Sequence, residues 1–196
     1  HPQYQRFTRK NLQEALQDTP VVLIHGSRQC GKTTLAQTQT ASAPDKQPDY
    51  QYISFDDNNQ LQAAKNDPIG FVKNLPEKII LDEVQRVPEL FKAIKASVDQ
   101  NRKPGRFILT GSANVLLLPQ LADSLAGRME IIQLRPLAQN EIAGQKTTFL
   151  QQLFNADFAA KKQNPYPRLD ETLAELVCQG GYPAAVLRPT AKRRNA

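Results

Sequence analysis

The sequence predicts an α/β fold: a parallel sheet flanked by helices. Short apolar runs alternate with longer helical stretches, the pattern that successive βαβ units impose. Val21-Val22-Leu23-Ile24 is continuously apolar and closes at Gly26, as expected of a strand covered on both faces. Strand signals stop at Pro136, so a helical appendage should follow the sheet.

The elements follow in order. Asn11 to Gln17 reads as a short helix stopped by Pro20, and the first strand leads to a helix from Lys32 to about Thr40. Ala41 to Asp49 holds Pro44 and Pro48 and reads as a loop. Tyr50 to Phe55 alternates like a strand and stops at Asp56-Asp57-Asn58-Asn59. Pro68 to Leu75 is a short helix, Lys78 to Leu81 the third strand, and Pro88 to Gln100 a helix opened by proline. Arg106 to Thr110 is the fourth strand, closed by Gly111. A helical stretch then reaches Ala126, and Glu130 to Leu134 is the fifth strand. Beyond Pro136, Glu141 to Ala160 and Leu169 to Cys178 read as helices separated by Asn164-Pro165-Tyr166-Pro167. Residues 1–136 are therefore expected to form the core, and 137–196 a helical region.

Composition excludes several classes. A hydrophobic fraction of 40% with 22% charged residues is that of an ordinary globular chain. No apolar run approaches the roughly 20 residues of a membrane span, and the N-terminus lacks a secretory pattern; a cytoplasmic location is expected. Cys30, Cys178, His1 and His25 do not form the spaced set that structural zinc requires. Cys30 is either a small residue suited to its loop or a redox switch, which its thiol pKa would decide. The net charge of +6 is uneven: from Lys161 onward seven Lys or Arg stand against three Asp or Glu. Lys192-Arg193-Arg194 is either a solvated tail or a contact for a nucleic-acid backbone.

Three segments carry chemistry. Gly26-Ser27-Arg28-Gln29-Cys30-Gly31-Lys32-Thr33 is a complete GxxxxGK[ST] Walker A pattern, between a buried strand and a helix as the motif requires. Its glycines let backbone N–H groups turn inward as an anion nest, and the following helix directs its positive end there. Lys32 should reach the β- and γ-phosphates of ATP, and Thr33 should offer its hydroxyl to Mg2+. Ile79-Ile80-Leu81-Asp82-Glu83 delivers carboxylates at a strand end: Asp82 to hold Mg2+ through its water shell, Glu83 to orient or deprotonate water. At the fourth strand's tip, Ser112 is the first candidate for sensing the γ-phosphate, with Thr110 or Asn114 as alternatives and ordinary turn chemistry as the competing reading.

These residues resemble the AAA+ division of P-loop ATPases, and more narrowly a prokaryotic family that joins such a core to a poorly characterised C-terminal domain. The carriers are 26–34, which adds Thr34 to the nucleotide loop, together with 81–90, 106–114, 124–128 and 180–185. The resemblance implies a sheet order of 5-1-4-3-2 and a helical lid over the nucleotide. It also implies a role for Arg128 as an arginine finger acting on a neighbouring subunit, hence a homo-oligomer in the full-length protein; a surface salt bridge is the alternative. Pro183 is followed by Ala184 where AAA+ lids often carry a sensing arginine, a departure that Arg188 is a poor candidate to repair. The family continues past this point, so 189–196 reads as the start of a connection to a missing region.

The function these expectations favour is hydrolysis of Mg2+-ATP coupled to conformational change. A nucleotide-gated switch or scaffold with negligible turnover, and a small-molecule kinase, are the alternatives. No Asn-Lys-x-Asp string occurs to read guanine.

Overall fold

A computed structural model describes residues 4–40, 50–118, 121, 125–145, 154 and 171–188. The chain divides into two compact units, Phe7–Arg135 and His1–Arg6 with Pro136–Ala196.

The larger unit begins with α1 (Thr8–Asp18), β1 (Val21–Gly26) and α2 (Lys32–Gln37). Next come β2 (Gln51–Ser54), α3 (Asn58–Asn66), α4 (Pro68–Lys73) and β3 (Ile79–Asp82). A 3-10 turn over Val84–Arg86 leads to α5 (Leu90–Gln100), β4 (Phe107–Ser112), a second 3-10 turn over Ala113–Leu117, and β5 (Met129–Gln133). The strands form one sheet in the order β2-β3-β4-β1-β5, which is the expected order read from its other edge. All four pairings are parallel, with Val21 level with both Phe107 and Met129.

Strand alternation divides the core into two layers. Val21, Leu23, Ile79, Leu81, Phe107 and Leu109 face one side, where α3, α4 and α5 supply Leu61, Val72, Phe91 and Ile94. Val22, Ile24, Ile80 and Ile108 face the other, against Leu12 and Ala15 of α1 and Leu35 and Ala36 of α2. Because the sheet is covered on both faces, β1 has no exposed residue, the reason its sequence is apolar without alternation.

Helix α3 departs from the sequence reading, which took Asp56-Asp57-Asn58-Asn59 only as the end of a strand. The Asp57 carboxylate accepts from the Asn59 N–H at 2.8 Å, so the polar cluster also caps a helix, and Leu61 and Ala64 bury its inner face. Smaller shifts occur elsewhere. Helix α1 starts at Thr8 rather than Asn11, α2 ends at Gln37 and continues as turns to Thr40, and α5 begins after Pro88 at Leu90. The stretch expected to be helical up to Ala126 opens instead as the 3-10 turn at Ala113, while 119, 120 and 122–124 lie outside the described residues.

In the smaller unit, α6 (Gln139–Ile142), α7 (Glu171–Gln179) and α8 (Pro183–Val186) are described. Glu141 accepts from the Ala138 N–H at 2.9 Å and pairs with Arg6 at 3.2 Å. Gly181 lies against Leu137, whose N–H donates to the Gly181 carbonyl at 2.7 Å. The loop expected at 41–49, the helix expected through 146–153 and 155–160, the 164–167 break, the start of the 169–178 helix, the 192–194 cluster and the 189–196 connection lie outside the described residues.

Candidate functional site

Parallel pairing brings the C-terminal ends of β1, β4 and β3, three neighbours in the sheet, to one edge. The segments carrying the predicted residues leave the sheet there: 27–31 after β1, 83–86 after β3, and Ser112 at the tip of β4, level with Gly26.

The loop after β1 has the shape an anion cradle needs. Gly26 passes so close to the chain beyond β5 that a Cβ would lie 2.1 Å from the Leu134 carbonyl oxygen. Gln29 and Gly31 adopt left-handed backbone, with φ of 62° and 99°, the kind of turn that directs successive N–H groups to one side. Cys30 is buried beneath the loop, its thiol 3.5 Å from the Leu134 carbonyl. Of its two sequence readings, the burial favours the small packing residue. Lys32 is only 5% exposed and donates from Nζ to the Ser27 carbonyl at 2.9 Å. An ammonium has three protons, so two remain for phosphate oxygens. Thr34 sits on the exposed side of α2. His25, just before the loop, is buried; burial first and then the Lys32 charge hold its pKa below the usual value.

Asp82 is buried and surrounded by hydroxyls. Thr33 Oγ1 donates to its two oxygens at 2.9 and 3.2 Å, the Tyr52 hydroxyl to Oδ2 at 2.9 Å, and Thr110 Oγ1 to Oδ1. Burial, followed by the hydrogen bond to Asp82, pushes the Tyr52 phenol up to about 12, so it remains a donor. Facing oxygen donors from Thr33 and Asp82 suit Mg2+, a hard cation that completes its shell with water and phosphate. Among the described residues no group of three or more His, Cys, Asp or Glu is placed to hold a metal alone. The donor set therefore fits a cation that arrives with a nucleotide.

Glu83 follows with φ 59° and ψ 43°, a left-handed conformation costly for a residue with a side chain. Its N–H donates to Thr110 Oγ1 at 3.2 Å, and its carboxylate accepts from the Gln85 side-chain amide. Glu83, Ser27, Arg28, Ser112 and Asn114 line one cavity of about 520 Å3. Arg86, at its rim, pairs with Asp56 at 2.6 Å. Arg28 is exposed and, among the described residues, has no hydrogen-bond or ion-pair partner.

The nucleotide loop, Asp82, Glu83 and Ser112 thus lie at one edge of the sheet. Thr110, an alternative phosphate sensor, points instead at Asp82 and Glu83. Arg128 is not at this edge. It precedes β5 at the opposite end of the sheet, donating from Nε to Asp99 at 2.5 Å and from Nη1 to the Ala126 carbonyl at 3.0 Å. Sequence reasoning missed Tyr52 and Gln85. Tyr52 read as one residue of an alternating strand, and Gln85 lay unremarked in the run 81–90.

Comparison with known proteins bears on the family and the fold. The family model described as "AAA domain" matches residues 18–143. Uncharacterized proteins of Mycobacterium bovis and Mycobacterium tuberculosis are each 38% identical over 132 residues, covering 67% of this chain and 28% of theirs. The chain therefore spans less than a third of the length of the curated relatives it matches. Among solved structures, AMPPCP-bound DnaA from Aquifex aeolicus superposes with a TM-score of 0.55 at 19% identity, covering 95% of this chain and 60% of that one. The replication initiator DnaA bound to AMPPCP and single-stranded DNA gives 0.56 at 19% identity, with the same coverage. At that identity the likeness concerns the fold. No described helix is long and apolar enough to cross a membrane.

Proposed function

The chain belongs to the AAA domain family, and from that premise we propose that it binds Mg2+-ATP around Lys32 and hydrolyses it to drive a conformational change. The observation that carries this reading is the shared cavity, where Ser27 and Arg28 of the phosphate loop face Glu83 and Ser112. Residues 26–34 cradle the phosphates, and the Lys32 ammonium neutralises charge on the β- and γ-oxygens. Thr33 and Asp82 would hold Mg2+, which when bound would supply further neutralisation of the phosphate charge. The Glu83 carboxylate takes a proton from water as the water oxygen bonds to the γ-phosphorus. The bond to the bridging oxygen breaks, and ADP and phosphate leave. Ser112 orients the water or the γ-phosphate from the tip of β4.

Arg128 acts, in this proposal, on a neighbouring subunit of a homo-oligomer formed by the full-length protein. Its place at the far end of β5 from its own phosphate loop supports a role outside its own site. The cytoplasm is the proposed location. Nucleic acid is a further candidate partner, supported by the basic 192–194 cluster and by the DNA-bound state of one DnaA structure.

A switch with negligible turnover has one specific observation in its favour: Gln85 occupies the Glu83 carboxylate. Glu83→Gln separates the readings. Under hydrolysis it retains ATP binding by calorimetry while phosphate release falls by about two orders of magnitude or more. An unchanged release rate removes Glu83 from the mechanism, and absence of turnover in the unmodified chain, alone and with nucleic acid, favours the switch.

A further inference from the structure

Tyr52 lies on β2, one strand beyond the strand that carries Asp82. Tyr52 pairs with Ile80 and Ser54 with Asp82, so the tyrosine ring must reach diagonally across the sheet to bring its hydroxyl to Asp82 Oδ2. Its ring packs partly buried on the layer that contains Ile80, Leu16 and Leu35. The other two hydroxyls around Asp82 have further duties. Thr33 is the residue expected to turn toward the metal, and Thr110 also accepts from the Glu83 N–H. Tyr52 has neither duty: its hydroxyl donates to Asp82, with the Ser54 side chain as its other hydrogen-bond partner.

We infer that Tyr52 is a positioning residue for metal binding: its hydroxyl fixes the rotation of the Asp82 carboxylate when Thr33 gives up its bond to that carboxylate. The inference rests on the reading that Asp82 faces Mg2+. A carboxylate's terminal torsion is soft, with broad two-fold minima, so an acceptor held by one donor samples orientations that present it poorly. With Thr110 on Oδ1 and Tyr52 on Oδ2, both oxygens are pinned and the carboxylate plane is set before the metal arrives. Groups that orient metal ligands in this way typically contribute about 10–100-fold to metal affinity. Among the described residues the hydroxyl has no hydrogen bond to residues 26–34, so metal-free nucleotide binding is expected to be independent of it.

The test compares ADP affinity of the unmodified chain, Tyr52→Phe and Tyr52→Leu by titration calorimetry, with excess Mg2+ and with EDTA. Mn2+ binding in the presence of ADP, followed by electron paramagnetic resonance, reads the metal directly. Thermal unfolding checks each variant. The expected result is a loss of about tenfold or more in the Mg2+-dependent gain for both variants, weaker Mn2+ binding, and unchanged affinity in EDTA. A full Mg2+-dependent gain in Tyr52→Phe overturns the inference. So does a loss in Tyr52→Leu alone, which assigns the effect to ring packing, or an equal loss with and without metal. If the unmodified chain binds ADP equally well with and without Mg2+, the fault lies with the metal role of Asp82, and the inference falls with it.

Discussion

A single methyl group at Gly26 tests whether the backbone path of the phosphate loop makes the site. In Gly26→Ala the new Cβ would stand 2.1 Å from the Leu134 carbonyl oxygen and 3.1 Å from the Cys30 sulfur. Restoring ordinary contact moves one of the two backbones by roughly an ångström or more. Neither moves freely. Leu134 donates its N–H to the His25 carbonyl at 2.7 Å, one residue before the substitution, and the Cys30 thiol rests on the same carbonyl that the methyl strikes. Overpacking of this kind costs about 1–3 kcal/mol, and distorting the backbone hydrogen bond adds about 1 kcal/mol. A total of about 2–4 kcal/mol lowers the melting temperature by roughly 5–15 °C in a chain of this size. Whatever part of the strain the loop absorbs displaces Ser27 and the Lys32 ammonium bonded to it, so ATP affinity should fall by about tenfold or more, the loss of one charge-assisted bond. Scanning calorimetry reads the first effect and titration with a slowly hydrolysed ATP analogue the second. A variant with the parental melting temperature and parental affinity would refute the close approach of Gly26 to Leu134.

Lys32→Ala removes the buried ammonium while leaving the loop glycines in place. ATP affinity should fall by about tenfold or more, from a charged hydrogen bond of roughly 1.5–3 kcal/mol, and calorimetry finding parental affinity would remove Lys32 from the phosphate site. The shared-site role of Arg128 is tested by mixing an excess of Arg128→Ala with Glu83→Gln chains in the full-length protein. Partial recovery of ATP hydrolysis is expected, because one interface then combines an intact Glu83 with an intact Arg128. A dead mixture of chains that demonstrably assemble together, or full activity of Arg128→Ala alone, ends that role.

The legible parts of the site are those in which local sequence and global position coincide. A Walker A loop carries its own strand before it and helix after it, so the pattern from Gly26 to Thr33 specifies both the backbone turn and the place of Lys32. Asp82 and Glu83 were legible because a buried strand ends on them, and a parallel sheet delivers strand ends to one edge. Tyr52 was not, because its contact depends on β2 lying beside β3, and nothing within the alternating run Tyr50 to Phe55 marks one side chain as crossing to the next strand. The left-handed backbone of Glu83 was hidden for a similar reason: glutamate has no preference for that region, and Thr110, which receives its N–H, lies on β4. Helix α3 was lost to an ambiguity of residue type, since Asp and Asn both close turns and cap helices, and only the burial of Leu61 and Ala64 separates the two.

The polar cluster at the sheet edge joins three strands through one carboxylate. Asp82 on β3 is bonded by Tyr52 from β2 and Thr110 from β4, and Thr110 in turn holds the backbone of Glu83. The group expected to meet the metal and the group expected to activate water therefore share a buried anchor. A change in the direction of the Asp82 carboxylate reaches Glu83 through one threonine hydroxyl, with no movement of the strands required. On the proposed mechanism the occupancy of the phosphate loop would set the geometry of the base: if Thr33 turned from Asp82 toward a bound cation, Tyr52 and Thr110 would be left to hold the carboxylate, and Thr110 also holds the Glu83 N–H. On that mechanism the coupling gives the left-handed backbone of Glu83 a use: Thr110 holds its N–H and Gln85 its carboxylate, so loosening the first would free the backbone and loosening the second would free the base.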